Sequence, residues 1–296
     1  KHLVWMENKT DTFSFKVNSK PDLINVDADK YLLWSKKDNK TTAEFIHQYK
    51  YAKNYIDRRE ALEYCAAHKN DKAAFDLLKE GLNDSYYKLR NRSILALQDT
   101  TLDAATISTI EKIATNDANR YCRSYAISAL AKTKDKKYLS LYLQAVKDSS
   151  YTVAGAALEA VKSLDENKAV ELLPELRKDA KGALLNSVKD VELLTKGDAD
   201  FDEMFTTYSS TKSLQDKFNA TFNFINFLGR VNNTANFKKG LDDVIAFREK
   251  VAQYGVAPPI NEAIKNIIKN KEAAKAKAAN PADMDEQIKY INDKLK

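Results

Sequence analysis

A repeat constrains this chain more than any other feature. Between Asn83 and Val161 three segments, NDSYYKLRNRSILAL, NDANRYCRSYAISAL and KDSSYTVAGAALEAV, place the same residue types at the same offsets. Anchored on Asp84, Asp117 and Asp148, they recur after 33 and then 31 residues. The fifth residue after each Asp is small or apolar (Leu89, Cys122, Val153), and the sixth is Arg90, Arg123 and then Ala154. A small residue followed by a large one closes each copy: Ala96-Leu97, Ala129-Leu130, Ala160-Val161. A period of this size is the signature of stacked helical hairpins, because one hairpin cannot bury its apolar face alone.

The segments between the copies support that reading. Ala73 to Leu82, Ala104 to Ala114 and Tyr138 to Val146 each carry an apolar stripe at helical spacing, so each unit is a helix, a turn with Asp, and a second helix. Arg58-Arg59-Glu60-Ala61-Leu62 begins 32 residues before Arg90 and reads as a divergent first repeat, preceded by a helix capped at Thr41 or Thr42. From Leu172 the repeat fades, although Asp179 keeps the spacing. Helices are then expected near Phe201 to Tyr208, Leu214 to Leu228, Asn236 to Gln253, Ile260 to Ala279 and Met284 to Leu295. With only 7 Gly and 5 Pro, helices should dominate.

The first forty residues differ in kind. His2 to Glu7 and Thr12 to Val17 alternate apolar and polar residues around a turn-like Asn8-Lys9-Thr10-Asp11, the pattern of a hairpin. Leu23 to Val26 reads as a third strand and Tyr31 to Trp34 as a fourth. The expected fold class is therefore mainly α, an α-α superhelix of stacked hairpins preceded by a few antiparallel β-strands. The expected domains are terminal strands over 1–38 and a helical domain over 39–296, with the clearest repeats at 71–165 and longer irregular helices at 195–296.

Composition excludes several functions. Hydrophobic residues make up 44% and charged residues 30%, a globular balance, and no run approaches the ~18 apolar residues of a membrane span. The net charge of +6 comes from 48 basic and 42 acidic side chains, mostly interspersed, and Arg occurs nine times. A nucleic-acid binder clusters its positive charge and favours Arg. Cys65 and Cys122 occupy small apolar positions of the helical pattern and read as buried free thiols. His2, His47 and His68 are too scattered for a metal motif. The His-Glu-x-x-His, Walker A, Gly-x-Gly-x-x-Gly and Gly-x-Ser-x-Gly patterns are absent, so no catalytic or metal residue is assigned. Asp198-x-Asp200-x-Asp202 imitates the start of a calcium loop. Glu203 stands where that loop needs Gly, and acids in a first helical turn explain it.

Arg90, Arg92, Arg120 and Arg123 form the one basic group with a geometric rationale, since stacking brings equivalent positions side by side where they can meet carboxylates. Arg90 and Arg123 recur with the Asp and fit a ladder that ties neighbouring repeats. Arg92 and Arg120 lie off that register and are the better candidates for a surface or cavity role.

The sequence carries two resemblances. Asp, an apolar residue at plus five and Arg at plus six resemble the HEAT-repeat pattern in Asp84-Leu89-Arg90 and Asp117-Cys122-Arg123. Phe13-Ser14-Phe15, then Lys20-Pro21-Asp22-Leu23-Ile24-Asn25-Val26-Asp27, then Leu32-Leu33 and Arg58 to Leu62 resemble the downstream end of M1-family zinc aminopeptidases. That resemblance implies the last strands of a β-sandwich followed by a non-catalytic helical C-terminal domain. This domain would cap the active-site cavity and control peptide access. Its partners would be an upstream catalytic domain that holds the zinc and, in the whole enzyme, a peptide substrate; the four arginines would be substrate-cavity candidates. The chain alone would be inactive and carry no cofactor. The alternative expectation is a free-standing HEAT-repeat scaffold that binds a protein, in preference to nucleic acid, on its concave face.

Overall fold

The computed structural model describes residues 2–275 and 281–296, and the chain divides into two compact units, 1–138 and 139–296. Unit 1 contains three helical hairpins. The first pairs α1 (Thr42–Tyr51) with α2 (Tyr55–Ala67), the second α3 (Lys72–Gly81) with α4 (Tyr87–Leu97), and the third α5 (Ala104–Asn116) with α6 (Arg120–Lys132). The helix starts follow from the local sequence. Thr41 and Glu44 form a capping box on α1, and Asp71, Asp103 and Asn119 accept backbone amides at the starts of α3, α5 and α6. The core joins the apolar stripe of each second helix (Ala61, Leu62 and Cys65; Leu89, Ile94 and Leu97; Cys122, Ala126, Ile127 and Leu130) to that of the first helices, with Phe45, Leu77, Leu78 and Ile110 buried. Each large aliphatic among them contributes about 2 kcal/mol by leaving water. The second helices pack directly on one another, α2 on α4 and α4 on α6. Helices α3 and α5 barely meet, so the row bends with its second helices on the inner side.

Unit 2 opens with two more hairpins, α7 (Leu139–Ala145) with α8 (Tyr151–Leu164) and α9 (Glu166–Leu176) with α10 (Gly182–Glu192). Within unit 2 the hairpins therefore continue past Leu172, where the sequence pattern fades. Asp179 and the buried Leu184 keep the plus-five spacing, although Leu185 stands where the first two copies have Arg and the third has Ala154. Helices α8 and α10 approach closely because Gly155 has no side chain: a Cβ there would stand 2.9 Å from the Ala183 carbonyl. The remaining helices, α11 (Phe201–Ser209), α12 (Leu214–Leu228), α13 (Thr234–Val251), α14 (Ala257–Lys275) and α15 (Pro281–Lys294), enclose an aromatic core of Phe201, Tyr208, Phe224, Phe227 and Phe237. Gly255 ends the turn after α13 at φ 73°, a conformation L side chains rarely adopt. Pro258 and Pro259 fall in the first turn of α14, where an amide has no helical partner to lose. Of the helix expected over 260–279, residues 276–279 lie outside the described residues.

The expected antiparallel strands are absent: the described residues are all-α, with no strand anywhere. Alternating side chains make a strand only where a neighbouring strand completes the backbone ladder and a layer covers the apolar face. Residues 2–40 have neither. Leu3, Trp5, Phe15 and Leu33 are exposed, and one backbone–backbone bond, Lys30 N–H to the Asp27 carbonyl (3.0 Å), closes a turn within the stretch. Side chains hold this segment to α2 and its N-cap instead. Lys30 meets Asp57 at 2.5 Å, Asn25 donates to the same carboxylate at 3.1 Å, and Lys36 meets Glu60 at 2.8 Å. Asn54 donates to the Ala28 carbonyl at 2.7 Å.

Candidate functional site

Each Asp of the repeat does two things. Its carboxylate accepts the amide two residues on, closing the turn: Asp84 from Tyr86, Asp117 from Asn119 and Asp148 from Ser150, each at 2.8 Å. Within unit 1 it also receives an Arg from the preceding repeat. Arg58 reaches Asp84 at 2.9 Å, and Arg90 grips Asp117 with two bonds of 2.7 Å. Burial by itself would raise the Asp117 carboxyl, but Arg90 and the Asn119 amide outweigh it, so its pKa lies below the usual carboxylate value. Asp84 also accepts the Tyr49 hydroxyl at 2.6 Å.

These contacts separate the arginines singled out in the sequence. Arg90 is half-buried on Asp117 and also donates to the Asp84 carbonyl at 2.8 Å, and Arg123 makes the equivalent bond to the Asp117 carbonyl at 2.8 Å. Arg92 and Arg120 are exposed instead. Arg92 meets Glu63 at 2.7 Å, with Arg59 on the same carboxylate at 3.5 Å. Arg120 lies over the Tyr121 ring at 5.0 Å and donates to its hydroxyl at 3.3 Å.

The exposed side of the inner helices brings further residues to the same face. Ile56 on α2, Lys88 and Leu95 on α4, and Tyr121 and Tyr125 on α6 are exposed, while Tyr87 stacks toward Tyr121 with ring centres 6.5 Å apart. Sequence reasoning picked out the arginines and passed over these neighbours. Their signal lay in the repeat register, since Lys88 and Tyr121 share offset four from the Asp, and Arg92 and Tyr125 share offset eight. The face can offer guanidinium and ammonium groups beside aromatic rings. No group of three His, Cys, Asp or Glu side chains that could hold a metal occurs among the described residues. Cys65 and Cys122 are buried free thiols whose pKa values burial pushes up to about 11, which leaves them unreactive near neutral pH.

Asp198 of the calcium-like triplet accepts the amides of Asn232 and Asn233 at 2.9 Å each. Beside it Lys271, 2% exposed, donates to the Val231 carbonyl at 3.1 Å over the Phe237 ring. Burial lowers its pKa to about 8, and Asp198 only partly opposes this. In the unfolded chain a lysine titrates near 10.4, so the unfolded state binds more protons between these values and stability falls as pH drops through that window. Lys271→Met is therefore expected to stabilise unit 2 at pH 7 by about 1–2 kcal/mol, after the lost bond to Val231 is counted. It should also flatten the rise in stability between pH 8 and pH 10, measured by urea denaturation.

Comparison with known proteins places this geometry. The family model for HEAT repeats matches residues 107–188, from within α5 to within α10. No curated protein matches the chain. Among solved structures, the X-ray structure of YibA from Escherichia coli is similar at 15% identity and a TM-score of 0.41, covering 88% of this chain and 99% of that one. Human deoxyhypusine hydroxylase in complex with glycerol is similar at 14% identity and a TM-score of 0.36, covering 86% and 96%. The family match is to HEAT repeats and not to an aminopeptidase domain, and the Lys20–Asp27 stretch that carried the aminopeptidase resemblance forms no strand. That resemblance is overturned. The cavity-capping function, the upstream catalytic domain and the peptide substrate expected from it fall with it. No described helix is long and apolar enough to cross a membrane. The chain has an all-α, HEAT-like helical repeat fold.

Proposed function

We propose that the chain is a HEAT-repeat scaffold that binds a protein along the inner face of unit 1. One observation carries this reading: the exposed Arg92 on α4 is followed on the next inner helix, α6, by the exposed Arg120, Tyr121 and Tyr125. Tyr and Arg are the side chains that most often anchor protein interfaces, because each offers a large contact area together with directional hydrogen bonds. The outer helices lack this combination. Helix α3 intersperses Lys72, Asp76, Lys79 and Glu80, and α5 sets Glu111 beside Lys112.

Site-specific photo-cross-linking in cells tests this. A photoreactive amino acid at Tyr125, on the inner face, is expected to give discrete protein adducts, while the same group at the exposed outer residue Lys112 gives none. Absence of adducts at Tyr125, or the same adducts at both positions, refutes the proposal.

A further inference from the structure

Resting on that scaffold reading, we infer that the partner presents an extended acidic segment, whose carboxylates are met by Lys88, Arg92 and Arg120 while Tyr87, Tyr121 and Tyr125 pack against its backbone and apolar groups. Charge is distributed unevenly at two levels. Residues 1–138 hold 25 basic and 19 acidic side chains, a net charge of +6, whereas residues 139–296 hold 23 of each. Within unit 1 part of the excess lies on one side. The inner face exposes Lys88, Arg92 and Arg120, with a half-buried Arg59 beside Glu63, and Glu60, the acid in register with Arg92, is already held by Lys36, while the outer helices alternate signs. Neither Lys88 nor Arg120 has a carboxylate partner among the described residues, so both are available to one from outside.

Glu63 shows what the face accepts. It is a carboxylate held between Arg59 at 3.5 Å and Arg92 at 2.7 Å, the arrangement an Asp or Glu of a partner would adopt farther along the row. The dimensions suit a short extended chain. Inner helices about 9 Å apart give three helices a span of about 20 Å, the length of about six extended residues. The same numbers disfavour a nucleic acid, which gains affinity by neutralising about 6–10 phosphates and would meet Glu63 as a repulsive charge.

Fluorescence anisotropy on the full chain tests the inference with three labelled probes. These are a Gly-Ser peptide of about ten residues with Glu at every third position, its Lys counterpart, and an oligothymidylate of the same charge as the acidic peptide. The acidic peptide alone is expected to bind. Arg92→Glu combined with Arg120→Glu should weaken it at least about tenfold, and Glu63→Gln, which frees Arg59 and Arg92, should tighten it about threefold. Circular dichroism melts establish that the variants fold, and the Glu63→Gln gain cannot come from unfolding. Failure of the acidic peptide to bind, insensitivity to both variants, or equal binding of the oligothymidylate overturns the inference. Protein adducts at Tyr125 together with no acidic-peptide binding would remove the inference and leave the scaffold reading standing. Absence of adducts as well would remove both.

Discussion

Lys30→Met is expected to destabilise unit 1 by about 3–5 kcal/mol, the cost of leaving a buried charge without its partner. The reason is the position of Asp57. In repeat register it stands where Leu89, Cys122 and Val153 fill the core, 1% exposed, yet it carries a carboxylate. Lys30 meets that carboxylate at 2.5 Å from outside the helical array, with Asn25 as the second donor at 3.1 Å. One carboxylate oxygen has no hydrogen-bond partner even so. Removing the ammonium while keeping the carboxylate leaves a charge that neither the apolar neighbours nor Asn25 can balance. The double variant Lys30→Met with Asp57→Leu restores the residue type of the next repeat and should recover most of the loss, because two matched apolar groups can replace a buried ion pair with little cost. Urea denaturation of both variants decides this. A single variant within about 0.5 kcal/mol of wild type, the range of an ordinary surface substitution, would show that Asp57 needs no counter-charge.

Asp117→Ala is expected to cost about 3 kcal/mol, through loss of the paired bonds from Arg90 and of the turn-closing bond from the Asn119 amide. The effect has a pH signature. The folded pKa of Asp117 lies below its unfolded value of about 3.9, because Arg90 and the amide outweigh the opposing effect of burial. Its contribution is fully present above the unfolded value and is lost as pH falls through the folded one. The stability gap between wild type and variant should therefore be constant from pH 7 to pH 5 and narrow below about pH 4. Denaturation curves at a series of pH values measure it, and a gap that stays the same down to pH 3 would assign the loss to packing.

What the sequence showed and what it hid differ in physical kind. The hairpins of unit 1 were legible because Asp, apolar and Arg positions recur at fixed offsets, and each offset has a local cause in a turn, a core contact or a ladder bond. The α9–α10 hairpin was not, since Leu185 replaces the Arg and only Asp179 and Leu184 mark the register. The strands were misread because alternation over Phe13 to Val17 records which side chains are apolar and says nothing of a neighbouring backbone to bond. Pairing across long separations was invisible as well: Lys30 and Asp57 lie 27 residues apart with no periodic rule linking them. At the candidate site the arginines stood out as charges. The tyrosines around them gained meaning only once the inner row had a shape.

The ladder of Arg58 on Asp84 and Arg90 on Asp117 has a direction, each repeat handing a cation forward and an anion back. A duplicated block of 33 residues, the spacing from Asp84 to Asp117, would bring its own Arg and its own Asp and join both neighbours without new chemistry. A fractional insertion would set an Arg against no acid and strand a charge at the junction where it falls. During evolution such an array can change its length by whole periods, while its phase is locked.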